Sequence, residues 1–134
     1  EIMRRKKARE ITMQLIFEMN IQNDYSNEII SRLLLKIPEN NDQFSYIKNA
    51  IQKFVENMDR VDSIIGSNLT DWRLDRIAKV DLAILRLAVT EIIFFDDIPV
   101  GASINEAVEM TKKFSTEESG AFVNGVLGSI VEKM

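Results

Sequence analysis

Apolar residues recur along this chain in steps of three and four almost from end to end, the spacing of a single buried helix face. Ala8, Ile11, Leu15 and Met19 make the first stripe and predict a helix from about Arg4 to Ile21. Asn23, Asp24 and Ser26 supply a turn. Ile29, Ile30, Leu33, Leu34 and Ile37 form the next face, closed by Pro38, which cannot continue a helix. After the loop residues Asn40, Asn41 and Asp42, a seam of Phe44, Ile47, Ile51, Phe54, Met58, Val61 and Ile65 runs to Gly66. It is either one long helix or two that abut. A seam this short, with other helices close by, reads as bundle core rather than as a coiled-coil strip.

The second half continues the pattern. Thr70 or Asp71 can cap a short turn carrying Trp72, Leu74 and Ile77. From Val80 to Phe95 the chain is apolar on most sides, which places a helix in the middle of a bundle; a strand over Ile92–Phe95 is the alternative. Ser103 with Glu106, and Ser115 with Glu118, have capping-box spacing and predict two helix starts. Phe122, Val126, Leu127 and Ile130 are the expected inner face of the last helix. Gly125 and Gly128 lie inside it, each costing about 1 kcal/mol relative to Ala, and predict close helix approach. The outcome is an all-α chain of about seven helices. It is expected as one domain over 1–134, built of two three- or four-helix bundles, about 1–69 and 70–134.

Charge changes this picture. Arg4, Arg5, Lys6, Lys7 and Arg9 crowd the first nine positions, while the remaining 125 residues hold 12 basic against 20 acidic side chains. An acidic body with a cationic head predicts a polyanion bound at one place, RNA first among candidates. On a helix, Arg5 and Arg9 share a side, as do Lys6 and Glu10, and Gln14 and Phe17 continue the latter. Cations meet phosphates, the amide can read a base edge, and the ring can stack on an unstacked base. The other reading is a frayed, solvated terminus with Phe17 in the core. Basic charge also opposes the dipole at a helix N-terminus, so the cluster is locally unfavourable.

Other side chains keep two readings open. Lys112 and Lys113 sit where cations favour a helix C-terminus. Phe122 is either core or a stacking ring. Asp75, Asp81 and Glu91 are either a solvated face or an acidic patch for a basic protein. Glu117 and Glu118 sit at a helix start, where acids are ordinary, and make a poor acid/base pair. With no His and no Cys, the common zinc sites and His-dependent nucleophilic catalysis are excluded. The five glycines match no phosphate-binding loop. No enzyme, cofactor or metal is expected. No apolar run approaches the roughly 20 residues a membrane helix needs, and the absence of Cys fits a reducing cytoplasm.

Several stretches together resemble the NusB family of transcription antitermination factors. They are Arg5-Lys6-Lys7-Ala8-Arg9-Glu10 with Gln14-Leu15; Asp75-Arg76-Ile77 with Val80-Asp81-Leu82-Ala83-Ile84-Leu85-Arg86-Leu87-Ala88; Asp97-Ile98-Pro99; Ile104-Asn105-Glu106-Ala107-Val108-Glu109 with Lys112-Lys113-Phe114; and Phe122-Val123-Asn124-Gly125-Val126-Leu127. The resemblance implies a two-bundle helical protein that binds the boxA element of ribosomal RNA leader transcripts together with NusE, a small-subunit ribosomal protein. Both would join an antitermination complex on RNA polymerase. A homodimer, where one forms, would cover the RNA surface.

By the same resemblance, Arg4, Arg5, Lys6, Lys7 and Arg9 match the RNA-binding start. Gln14, Phe17, Lys113, Glu118 and Phe122 fall on the RNA side, and Asp75, Asp81 and Glu91 on the NusE side. The chain departs from relatives in lacking a lysine directly before Phe122, where Gly120-Ala121 stand, and after Pro99, where Val100-Gly101 stand. Glu1 and Ile2 before Met3 are an unusual start or residues foreign to the natural chain. The rival readings are the RNA-binding module of a ribosomal RNA methyltransferase, and a helical protein-interaction module without an RNA role.

Overall fold

A computed structural model describes residues 3–134; Glu1 and Ile2, whose origin the sequence left open, lie outside the described residues. Seven α-helices follow in order: α1 Arg5–Gln22, α2 Asn27–Leu34, α3 Phe44–Glu56, α4 Met58–Gly66, α5 Lys79–Phe94, α6 Val100–Phe114 and α7 Glu117–Glu132. A short 3-10 turn, Leu74–Arg76, precedes α5. The described residues contain no strand, and the fold is all-α as the periodicity predicts.

The helix ends have local causes. α1 stops at Asn23, which takes left-handed geometry (φ 50°, ψ 46°), a conformation asparagine tolerates better than most residues. Ser26 caps α2 by accepting from the Ile29 amide at 3.3 Å. The seam from Phe44 to Ile65 is two helices. At Asn57 the backbone leaves the helical region (φ −122°, ψ 22°) while its side-chain amide donates to the Lys53 carbonyl at 2.9 Å. That side-chain bond competes with helix continuation. Ile47, Ile51, Phe54, Val61 and Ile65 are buried, so the seam is internal.

α5 is the axis of the molecule. Every residue from Asp81 to Ile92 is buried, and the helix packs against α1, α3, α4, α6 and α7. Each large aliphatic side chain so enclosed contributes about 1.5–3 kcal/mol. Ile92 and Phe94 stay helical, and the Phe95 amide still donates to the Glu91 carbonyl at 3.0 Å, which removes the strand alternative. Arg86 in mid-helix makes a two-pronged contact with Asp62 at 2.9 and 2.8 Å and donates to the Tyr25 hydroxyl at 3.0 Å.

Four expectations about α6 and α7 are corrected. α6 begins at Val100, directly after Pro99, whose φ of −60° suits helix entry. Ser103 is therefore inside the helix, and its buried hydroxyl donates to Glu91 Oε1 at 2.8 Å instead of capping. The cap of α7 is Thr116, not Ser115; its hydroxyl accepts from the Ser119 amide at 3.1 Å. Phe122 is 39% exposed, and Val123 takes the inner position beside it. Gly125 and Gly128 have open space where a Cβ would stand. Close helix approach occurs at Gly120 instead, where a Cβ would lie 3.1 Å from Thr111 Oγ1 of α6.

Candidate nucleic-acid and partner interface

α1 opens with cations and no acid in its first turn. Arg4, Lys6 and Lys7 are exposed. Arg5 is half-buried: its Nε donates to Gln43 Oε1 at 2.6 Å and its guanidinium lies 4.3 Å from the centre of the Tyr46 ring. Gln14 is exposed one face along, and Phe17 is half-buried against the apolar core. Only part of the Phe17 side chain is therefore accessible.

Arg9 does not join the cationic surface. It is 7% exposed and its Nε donates to Glu91 Oε2 at 2.8 Å. Burial opposes its charge, but the hydrogen bond and charge of Glu91 outweigh that and hold the guanidinium above its usual value. Glu91 in turn is 1% exposed and accepts from Arg9, Ser103 and the Tyr46 hydroxyl. It cannot face a protein partner. Both residues belong to a buried junction of α1, α3, α5 and α6, because a lone carboxylate or guanidinium at that depth would be very costly. Burial, then the neighbouring carboxylate, pushes the Tyr46 phenol well above its ordinary value.

Lys113 arrives at the head from the far end of α6. Its Nζ donates to Glu10 Oε1 at 2.9 Å, and Lys7 lies 3.9 Å from the same oxygen. Glu10 is buried, while Lys7 and Lys113 keep 60% and 56% of their side-chain surface exposed. One buried acid thus gathers two exposed cations 106 positions apart in the chain. Lys112 pairs with Glu109 at 3.4 Å on the outside of α6.

Three of the four remaining candidates line an open hollow of about 400 Å³ between the α4–α5 loop and the start of α7. Asp81, Glu118, Ser119 and Phe122 line it together with Arg73 and Arg76. Asp81 is 4% exposed; its Oδ2 accepts from Ser119 Oγ at 2.6 Å and its Oδ1 has no partner. That oxygen is itself buried, so it is an unpaired acceptor beneath the wall of the hollow rather than a surface contact. Asp75 is exposed and paired with Arg73 at 2.9 and 2.8 Å, which holds its carboxyl below the usual range.

Arg73, Arg76 and Ser119 are the site residues sequence reasoning missed. The alternation of Asp71, Arg73, Asp75 and Arg76 was the available signal for the first two. No group of acidic side chains among the described residues could hold a metal ion, and no helix is long and apolar enough to cross a membrane.

Comparison with known proteins gives a consistent answer. The NusB family model matches residues 6–132. A transcription antitermination protein NusB from Alkaliphilus oremlandii is 46% identical over 131 residues, covering 98% of this chain and 95% of the relative. A solved NusB from T. maritima superposes with a TM-score of 0.89 at 31% identity, covering 99% of this chain and 94% of that one. A crystal structure of the antitermination factors NusB and NusE in complex with double-stranded RNA contains a chain similar to this one at TM-score 0.84 and 30% identity, with 97% of each chain covered.

Proposed function

Since the chain belongs to the NusB family, we propose that it is a non-enzymatic transcription antitermination factor. It binds boxA-type RNA of ribosomal RNA leader transcripts together with NusE and joins the antitermination complex on RNA polymerase, in the cytoplasm. The observation that carries this reading is the convergence of Lys113 on the basic start of α1 through Glu10. Two helices that meet nowhere in sequence present their cations as one surface of Arg4, Lys6, Lys7 and Lys113. In a body of negative net charge, that surface fits a phosphate backbone.

The hollow supplies the rest of the reading. Phe122 presents a ring on which a base can stack, with Glu118 beside it on the same wall. Asp75 at the surface, with the Asp81 carboxylate set just beneath the wall of the hollow, suits basic groups of NusE. A homodimer that covered these surfaces would compete with both partners. The absence of lysine at Gly101 and Ala121 leaves the RNA grip to the head and Lys113.

Fluorescence anisotropy with a labelled boxA-type RNA, with and without NusE, tests the proposal. Binding is expected to tighten when NusE is added and to weaken with salt. The head variant Arg4→Gln, Lys6→Gln, Lys7→Gln removes three exposed cations without touching the buried Arg9. It should lower the salt slope by about 2, at roughly 0.7 per phosphate contact on a single strand, with helical content unchanged. Undiminished affinity and slope in that variant would overturn the assignment of the head.

A further inference from the structure

On the face of the molecule where the end of α5 meets α3, aromatic rings surface in a way the packing of α5 does not require. The helix is buried without interruption from Asp81 to Ile92, yet Phe94 and Phe95 emerge half-exposed at its end. They line a groove of about 470 Å³ with Arg5, Tyr46, Lys53 and Asp97. The rings of Tyr46 and Phe95 meet edge to face at 5.8 Å. Three cations lie against this aromatic wall: Arg5 at 4.3 Å from the Tyr46 centre, and Lys53 at 5.9 Å and Arg60 at 5.5 Å from the Phe94 centre. The groove itself is lined by two of these cations, Arg5 and Lys53, and one carboxylate, Asp97; Arg60 reaches the Phe94 ring from an adjoining hollow that it shares with Glu56 and Asp59.

We infer that this groove is a second RNA subsite, which takes single-stranded nucleotides flanking the segment held by the head. The inference rests on the RNA-binding reading above and extends it. Three arguments select this occupant. First, the groove is locally cationic on a body that is net acidic. Second, it adjoins the head, because Arg5, which lines it, stands between Arg4 and Lys6 in the chain. Third, it combines ring faces with cations. An acidic peptide would use the cations alone, whereas a single strand uses both: phosphates on Arg5 and Lys53, with Arg60 at the edge over Phe94, and bases on the faces of Phe94 and Phe95. In the free protein Arg5 covers Tyr46, and Lys53 and Arg60 cover Phe94. A base that takes a ring face leaves the cation free to turn to the adjacent phosphate.

The test compares two labelled RNAs on the full chain: the boxA-type segment alone, and the same segment extended by about four adenosines at either end, a length that can supply a few stacked bases. The extension is expected to tighten binding to the wild-type chain by about tenfold. In the double variant Lys53→Ala, Arg60→Ala, both at exposed positions, that gain should vanish while affinity for the short RNA stays put. The salt slope on the extended RNA should fall by about 1.4. Equal affinity of the two RNAs for the wild type, or a gain that survives in the double variant, overturns the inference and leaves the function proposal standing. Failure to bind either RNA overturns both. Poly-glutamate that removes the gain from the extension without displacing the short RNA would give the groove to an acidic peptide and overturn the RNA assignment.

Discussion

Arg9 and Glu91, 82 residues apart, meet at 2.8 Å in the interior. Glu91 is the hub of that contact, since it also accepts from Tyr46 and Ser103. The two members are therefore unequal. Arg9→Met leaves Glu91 with two donors, whereas Glu91→Leu leaves a buried guanidinium and two hydroxyls without an acceptor. Removing one partner of a buried pair costs about 3–5 kcal/mol, and Glu91→Leu is expected to cost more than Arg9→Met. Urea denaturation of both variants and of the double variant measures this. The double variant should cost less than the sum of the singles; additive costs would show that the pair does not act as a unit.

Tyr46 gives this junction a pH limit. Its phenol ordinarily titrates near 10.0, and burial followed by the Glu91 carboxylate raises that value in the folded chain. The folded state therefore favours the protonated phenol. Its contribution is whole below the unfolded value and declines as pH rises above about 10, where the unfolded chain loses its proton first. Stability is expected to fall on the alkaline side, and Tyr46→Phe should flatten that limb while lowering stability at neutral pH through the lost bond to Glu91. Denaturation midpoints measured from neutral pH to about pH 11 decide it; an alkaline limb unchanged in Tyr46→Phe would assign the loss to other groups.

The glycines of α7 should respond in opposite directions. At Gly125 and Gly128 a Cβ meets nothing within 4 Å, so alanine there should stabilise the helix by about 1 kcal/mol each. At Gly120 the added methyl would stand 3.1 Å from Thr111 Oγ1, and the buried, hydrogen-bonded Thr111 side chain would have to give by a few tenths of an ångström. Gly120→Ala is expected to lower the melting temperature, and Gly128→Ala to raise it. Thermal melts by circular dichroism separate the two, and a rise for both would remove the close contact from the account.

Much of this architecture was legible in the chain, and the reasons differ by element. Helix existence followed from the three-and-four spacing, because burial of one face is a local property. The all-round apolar stretch from Val80 to Phe95 announced the central helix for the same reason. Helix starts were less legible. Ser103 carried a capping pattern, yet Pro99 had already begun the helix, and the serine was needed inside for Glu91. The candidate site divided along similar lines. Exposed Lys6 and Lys7 could be read from charge alone. The burial of Arg9 and Glu91, and the meeting of Glu10 with Lys113, depend on helices brought together from distant parts of the chain. No local pattern encodes such pairings. Phe122 and Val123 show the limit of periodicity: one residue of rotation decides which is core and which is surface.

Phe122 and Phe17 provide the sharpest division between stacking and packing. Phe122 is 39% exposed at the rim of the hollow, while Phe17 leans on the apolar core. Phe122→Ala gives up less burial than Phe17→Ala, so its effect on stability should be the smaller of the two. If its ring carries a base, the loss in RNA binding should be about 1–3 kcal/mol. Phe17→Ala gives up core contacts and should register mainly in denaturation, by about 1–3 kcal/mol given its partial burial. Measuring both quantities for both variants makes a two-by-two comparison. The expected result is a crossed pattern, with RNA affinity following Phe122 and stability following Phe17. Loss of stability without loss of affinity in Phe122→Ala would return that ring to packing and place the stacked base elsewhere on the surface.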